Sequence, residues 1–377
     1  MCKPTSLSGV MLPAEVAVLN NGVIIILKNQ VLVINSSKIP HNASPASANR
    51  IGLGLTGTLS VQDSSRYCEL AENAGFESAW VAEHYGVGRD PFVTIAAIAS
   101  STKTIKLATG VVSVYTRHPA TISFTLGTLD ELSKGRIIFG AGTGNLIRLK
   151  EKLRVNGERP FAHVRETVEI TKQLLMGGTV SYQGKIFQVS ELNLGFSPIR
   201  PKIPLYIGAI QEQMLKLAVQ VADGVLFSVA SPPGYVSYAT KVMREEAYRI
   251  GRSFDEIDVA SYVLCYVSED SERAVEKLKP RLLSFLVRPR RGEFILEMAG
   301  LDTQQVIPIR EAFKKGDRRE AMRMITDEMI EELCIVGSSS ECLKGLARFR
   351  RSGVKLPVIV PLDENYEAAI NALAPQT

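Results

Sequence analysis

The chain has 377 residues, of which 45% are hydrophobic, and a formal net charge of +5. That length can bury one large core or two ordinary domains, and the mild charge argues against nucleic-acid binding. Two arginine-rich runs, 288–291 and 348–351, are expected on solvated helix faces. Five cysteines without a Cys-x-x-Cys pair, and four histidines without a His-x-x-x-His pair, indicate a reducing, cytoplasmic setting and argue against a metal site.

The first fifty residues differ in composition from the rest of the chain. Two apolar runs, 23–27 and 31–35, are separated by Lys28, Asn29 and Gln30. Each run is far shorter than the ~20 residues that span a bilayer, and no basic segment of a signal peptide precedes them. The stretch 36–50 is rich in Ser, Ala, Asn and Pro, which is typical of a linker. We therefore expect residues 1–50 to form a poorly ordered appendage with no membrane role.

From residue 51 onward, short apolar runs alternate with amphipathic stretches of helical length. The runs that predict strands are 51–56, 78–83, 105–112, 136–141, 204–209, 224–228, 257–267 and 355–361. Regular alternation predicts a parallel sheet, and eight repeats predict an α/β fold of the closed (β/α)8 TIM-barrel type over 51–365. A short tail, 366–377, would follow. A doubly wound open sheet is the alternative.

Two segments interrupt this rhythm. Residues 179–189 contain a Gln-Gly turn between strand-like runs and predict a β-hairpin before the fifth strand. Residues 270–335 predict a long helical insertion before the last strand–helix unit. Insertions in barrels commonly lie over the catalytic face, so we expect both to shape a site.

The second predicted strand stops abruptly in ionisable residues. Glu83, His84 and Tyr85 supply a carboxylate, an imidazole and a phenol in succession. An α/β barrel presents its chemistry at the carboxyl ends of its strands, so Glu83 and His84 are the first active-site candidates. The alternative is that Glu83 caps the next segment and that His84 is an ordinary loop histidine.

Glycines mark the ends of three further predicted strands. They occur at Gly110, at Gly142 and Gly144, and at Gly208. A glycine lets the backbone approach a flat ring or a phosphate closely. The Gly-x-Gly of the fourth strand lacks the continuation of a Rossmann fingerprint. Three such ends on neighbouring strands indicate a large, planar, phosphorylated cofactor.

Four longer segments carry a resemblance to a known family. They are 79–85 (AWVAEHY), 109–119 (TGVVSVYTRHP), 128–136 (TLDELSKGR) and 203–209 (IPLYIGA). With them, residues 51–365 resemble the bacterial-luciferase-like superfamily of flavin and deazaflavin barrels. Within it, the chain is similar to the coenzyme F420-dependent 5,10-methylenetetrahydromethanopterin reductases.

This resemblance implies roles for individual residues. Glu83 and His84 match an acid–histidine pair that meets the deazaflavin. The Gly110–Val111 bond matches a non-proline cis peptide that bulges against the ring. The implied cofactor-binding residues are Gly110, Val111, Val112, Gly142, Thr143, Gly144, Gly208, Ala209 and Ile210. Arg117 is counted on the substrate side on its position alone, and the alternatives are a contact with the acidic tail of the cofactor and a surface ion pair.

Two positions depart from the reductase pattern. The family carries a glutamate late in the first strand, where this chain has Thr56. It also carries an acid after the fourth-strand Gly-x-Gly, where this chain has Asn145. Both positions face the substrate in the family. We therefore count Asn145 among the catalytic candidates and Thr56 on the substrate side.

The resemblance implies a coenzyme F420-dependent oxidoreductase that transfers a hydride to or from a one-carbon tetrahydropterin. The expected ligands are coenzyme F420 and a small pterin-like substrate, with no metal and no nucleic acid, and the protein is expected to be a homo-oligomer. One alternative is an FMN-dependent monooxygenase of the same superfamily, which must activate oxygen. A second is a barrel without catalytic activity that binds a ligand or partner.

Overall fold

A computed structural model of the full chain describes residues 15–19, 22–27, 30–35 and 49–375. The chain divides into two units, Met1–Ala48 and Asn49–Thr377. The first contains an antiparallel sheet of three strands in sequential order, β1 (Glu15–Leu19), β2 (Gly22–Leu27) and β3 (Gln30–Asn35). Residues 36–48 of the predicted linker and much of the rest of the predicted appendage lie outside the described residues.

The second unit is built around a closed ring of eight parallel strands. These strands are β4 (Gly52–Leu55), β5 (Ser78–Val81), β6 (Lys106–Thr109), β8 (Ile137–Gly142), β11 (Leu205–Gly208), β12 (Gly224–Phe227), β13 (Asp258–Val267) and β15 (Leu356–Pro361). Pairing of β15 with β4 and of β8 with β11 closes the ring. The predicted TIM barrel is therefore confirmed, and all eight strands lie within or close to the predicted runs. Their near-continuous burial is typical of parallel strands covered on both faces.

Helices alternate with these strands along the chain, and the last helix follows β15. They are α1 (Val61–Asn73), α2 (Pro91–Ser101), α3 (Pro119–Leu132), α4 (Leu146–Leu153), α5 (Pro160–Leu175), α6 (Glu212–Val221), α7 (Pro233–Arg249), α13 (Ser339–Arg351) and α14 (Tyr366–Ala372). Local sequence sets their starts. Asp90 caps α2 by accepting hydrogen bonds from the backbone N–H groups of Phe92 and Val93. The predicted capping box of Ser338 and Glu341 opens α13.

Both predicted interruptions are present. Strands β9 (Val180–Gln183) and β10 (Gln188–Leu192) form an antiparallel hairpin before β11. The helical insertion comprises α8 (Ser271–Leu286), α9 (Arg291–Ala299), α10 (Val306–Lys314), α11 (Arg318–Arg323) and α12 (Asp327–Leu333). Two short strands pair in parallel with members of the ring: β7 (Val112–Ser113) with β8, and β14 (Ile335–Gly337) with β13. The segment predicted as a tail contains α14, in which Tyr366 is fully buried.

The 128–136 motif, which carries much of the family resemblance, is structural. Asp130 is fully buried and accepts two hydrogen bonds from Arg200, at 2.8 and 2.7 Å. Arg136 donates to the backbone carbonyls of Ala99 and Ile105, at 2.9 and 3.0 Å. These contacts fasten the amino-terminal ends of the strands, away from the mouth where chemistry is expected.

The barrel interior is filled by apolar side chains. Trp80, the single tryptophan of the chain, is fully buried in β5 and donates a hydrogen bond to Ser78 at 2.9 Å.

No helix within the described residues is long and apolar enough to cross a bilayer.

Candidate active site

A cavity of about 390 Å³ opens at the carboxyl ends of the barrel strands. This volume lies in the range of ligand-binding sites. Predicted site residues that line it are Thr56, Glu83, His84, Gly110, Val111, Thr143, Gly144, Asn145, Gly208, Ala209 and Ile210. The structure thus brings together residues from the ends of β4, β5, β6, β8 and β11, and the insertion helix α8 closes part of the mouth.

The Glu83 carboxylate is held by three donors. It accepts hydrogen bonds from the Ser113 backbone N–H at 2.8 Å and from the Tyr85 hydroxyl at 3.0 Å, and it forms an ion pair with Arg117. Only 5% of its side chain is exposed. Arg117 also pairs with Asp90 at 2.6 Å. Because its oxygens are engaged in this way, Glu83 holds together the part of the wall that it lines.

The His84 imidazole is uncharged. Burial lowers its pKa to about 4, and the positive charges of Arg281, Arg148 and Arg288 add to the effect. The ring makes no hydrogen bond to any described residue. At neutral pH it can therefore donate or accept one hydrogen bond to a ligand without carrying charge.

Val111 occupies a recess made by glycines. The Gly110–Val111 peptide bond is cis, as expected from the resemblance. A Cβ at Gly142 would lie 2.8 Å from Val111 Cγ2, and one at Gly208 would lie 3.1 Å from its Cγ1. These glycines therefore make room for the Val111 side chain. Contact between these glycines and a cofactor stays a prediction.

Tyr262 fixes the same wall from inside the barrel. Its buried hydroxyl donates a hydrogen bond to the Gly110 carbonyl at 2.9 Å. A Cβ at Gly110 would lie 1.9 Å from that hydroxyl oxygen. Gly110 is thus required by packing inside the barrel, and a larger residue there would disrupt the core as well as the cavity.

The two positions that depart from the reductase pattern both line the cavity. Thr56 places its hydroxyl 2.8 Å from that of Thr58, and its backbone N–H donates to the Tyr366 hydroxyl at 3.3 Å. Asn145 precedes α4, and its side-chain oxygen accepts a hydrogen bond from the Arg148 backbone N–H at 3.2 Å. Neither is acidic, so the lining offers neutral dipoles where the family has carboxylates.

Three predicted contact residues are not among those that line the cavity. Val112 is buried and pairs with Ala141 in the β7–β8 ladder. Gly142 lies behind Val111. Arg117 is committed to Glu83 and Asp90. Packing surrounds Val112 and Gly142, and Arg117 forms a mostly buried ion pair with Glu83 where the alternative was a surface one. A contact of these three residues with a ligand stays a prediction.

Sequence reasoning missed several lining residues. The run 288–291 was expected on a solvated face, but Arg288 and Arg291 line the cavity, together with Arg148 and Arg281. Only Arg290 of the three arginines in the run is exposed. One signal could have predicted this position. The basic run lies in the insertion 270–335, which was expected over the catalytic face.

Comparison with known proteins agrees with this geometry. The luciferase-like monooxygenase family matches residues 44–356, and the chain belongs to this family. It is 33% identical over 318 residues to a 5,10-methylenetetrahydromethanopterin reductase from Methanopyrus kandleri, which covers 80% of this chain and 90% of that protein. The counterpart from Archaeoglobus fulgidus is 31% identical over 309 residues, covering 81% and 91%.

A solved structure resembles the fold closely. The coenzyme F420-dependent tetrahydromethanopterin reductase from Methanopyrus kandleri superimposes with a TM-score of 0.78 at 31% identity, covering 86% of this chain and 97% of that one. The family resemblance seen in the sequence is therefore confirmed.

Proposed function

We propose that this protein transfers a hydride between coenzyme F420 and a one-carbon tetrahydropterin. The observation that carries the proposal is the lining of the cavity. It combines glycines and Val111 with the uncharged imidazole of His84. Its single carboxylate among the described residues, Glu83, is paired with Arg117. The names of the similar enzymes, reductases of methylenetetrahydromethanopterin, support the same assignment.

The lining fits a large planar cofactor. The glycines at positions 110, 144 and 208 line the cavity with backbone atoms, which a flat ring can approach closely. Val111 and these backbone segments would hold the ring, and Thr143 to Gly144 would contact its side chain. The deazaflavin, when bound, supplies or accepts the hydride. His84 would orient it by one neutral hydrogen bond, and the barrel wall would exclude water.

The absence of a free acid favours a pre-activated acceptor. Reduction of a neutral carbonyl or alkene needs a proton donor within hydrogen-bond reach. Thr56 and Asn145 are not acids, and Glu83 is paired with Arg117. The Tyr85 hydroxyl donates to Glu83, and burial raises the pKa of this phenol. A methylene-pterin that reacts as an iminium cation needs no such donor, so this acceptor class matches the site.

The test is anaerobic turnover of reduced coenzyme F420 with a panel of acceptors. We expect turnover with methylenetetrahydromethanopterin and little with neutral enones or ketones. The reverse pattern would overturn the pterin assignment. In a separate aerobic assay, oxygenation of an aldehyde or alkane with reduced FMN would instead identify a flavin monooxygenase. Binding of neither cofactor would identify a barrel without catalytic activity.

A further inference from the structure

Four arginines converge on the mouth of the cavity. Arg148 extends from α4, Arg281 from α8, Arg288 from the α8–α9 connection, and Arg291 from the start of α9. We call them the arginine cluster. They are distinct from the glycine and Val111 wall, since three of the four belong to the helical insertion that follows β13.

Three members of the cluster lack a negatively charged partner among the described side chains. Arg148, Arg288 and Arg291 form no ion pair with a described carboxylate. Their side-chain hydrogen bonds go to neutral acceptors: the Tyr85 carbonyl at 3.4 Å, the Ser284 carbonyl at 3.0 Å and the Ser228 hydroxyl at 3.1 Å, respectively. Glu83 is the single carboxylate among the described lining residues, and Arg117 already neutralises it.

The guanidinium groups are held in place. Those of Arg288 and Arg291 lie 5.2 and 5.6 Å from the centre of the Phe285 ring, whose side chain is buried and lines the cavity. Arg291 Nε is buried and has no hydrogen-bond partner among the described residues. Each guanidinium has five N–H donors, so donors remain available to a ligand.

The cluster also spans the mouth. Arg148 contacts the loop after β5, and Arg291 contacts the residue after β12. In the ring order, β5 and β12 lie on opposite sides of the barrel. An anion bound between these arginines would therefore cap whatever occupies the cavity beneath.

Holding like charges together is unfavourable in the free protein. Burial lowers the pKa of Arg291 to about 10, and the positive charge of Arg288 adds to the effect. Burial, Arg148 and Arg281 together lower the pKa of Arg288. A bound oxyanion would offset both effects, because each guanidinium would gain a charged partner.

We propose that the arginine cluster binds a phosphate or carboxylate group carried by the hydride acceptor, so that the acceptor is an anionic molecule anchored away from its reacting carbon. This inference rests on the proposed function, because it identifies the acceptor as the ligand of this part of the cavity. Bidentate hydrogen bonds from arginine suit both oxyanions.

The first test measures anion binding without any cofactor. Inorganic pyrophosphate is titrated calorimetrically into the full chain at constant ionic strength, for the wild type, Arg288→Gln, Arg291→Gln and the exposed control Arg290→Gln. The cluster variants should weaken binding at least about tenfold, the scale of one lost charge-assisted hydrogen bond, and the control should not. Absence of wild-type binding, or equal weakening by the control, would overturn the site.

The second test identifies the ligand that supplies the anion. In Arg288→Gln, the KM for methylenetetrahydromethanopterin should rise at least about tenfold, whereas the Kd for coenzyme F420 should be unchanged. If Arg288→Gln weakens coenzyme F420 but not the deazaflavin riboside that lacks the phosphate side chain, the cluster holds the cofactor and the acceptor assignment fails. Arginine-dependent pyrophosphate binding without any binding of coenzyme F420 would overturn the proposed function and retain the anion site.

A folding control accompanies both tests. Removing one of several like charges should leave the thermal unfolding temperature of the ligand-free variants equal to or above that of the wild type. A lower unfolding temperature in Arg288→Gln and Arg291→Gln would show that these arginines stabilise the insertion, and it would count against a binding role.

Discussion

Replacing Glu83 by glutamine separates support of the cavity wall from direct catalysis. The carboxylate accepts hydrogen bonds from Ser113, Tyr85 and Arg117 and is almost fully enclosed. A glutamine of the same size has one acceptor oxygen, so its NH₂ group must face one of these three donors. If the NH₂ group faces Arg117, Asp90 is the one charged partner that Arg117 keeps among the described residues, and its side chain is 42% exposed.

The magnitude follows from what is lost. One charge-assisted hydrogen bond disappears and a buried donor is left without an acceptor, so the free energy of unfolding should fall by about 3–5 kcal/mol. Chemical denaturation followed by the fluorescence of Trp80 measures this directly, because Trp80 is the single tryptophan and lies buried in β5, three residues before Glu83. The affinity for coenzyme F420 should fall in parallel, since Ser113 and Val111 lie on the same wall.

Asp90→Asn is the matched control. It removes the exposed half of the Arg117 pairing but keeps a side chain that can cap α2, so the free energy of unfolding should fall by at most about 1 kcal/mol. A Glu83→Gln protein with wild-type stability and cofactor affinity but no turnover would refute the supporting role. It would show that the carboxylate acts on the reacting atoms.

Three further outcomes are expected. Gly142→Ala should displace Val111 and weaken coenzyme F420 binding about tenfold, within the usual cost of overpacking, and Val111→Ala should restore binding in the double variant. Tyr262→Phe should lower the free energy of unfolding by about 1–3 kcal/mol in denaturation experiments, because the Gly110 carbonyl loses its buried donor. The His84 ring should titrate near pH 4 by NMR. Since an unfolded histidine titrates near pH ~6.5, the free energy of unfolding should fall by up to about 3 kcal/mol as pH drops from ~6.5 toward 4, and His84→Asn should flatten that dependence.

The sequence predicted the barrel well because its signal is local. Parallel strands buried on both faces appear as short apolar runs, and glycines and capping residues mark where the helices between them begin and end. The strand ends at Glu83, Gly110, Asn145 and Gly208 could be assigned to one mouth because the carboxyl ends of parallel strands meet there.

The remaining features depend on contacts between distant residues. That Gly142 makes room for Val111, or that Tyr262 holds the Gly110 carbonyl, is set by packing across the ring and leaves no local pattern. The orientation of Arg288 and Arg291 likewise depends on how α8 and α9 fold over the mouth. A short basic run looks the same whether it faces solvent or a cavity.

Whether the cavity is a deazaflavin site is decided by equilibrium binding of coenzyme F420 and of FMN to the same preparation. We expect coenzyme F420 to bind, with quenching of its fluorescence or of the fluorescence of Trp80. FMN should bind much more weakly and should not displace coenzyme F420 at equal concentration. Tight binding of FMN with none of coenzyme F420 would show that the proposed cofactor and function are wrong.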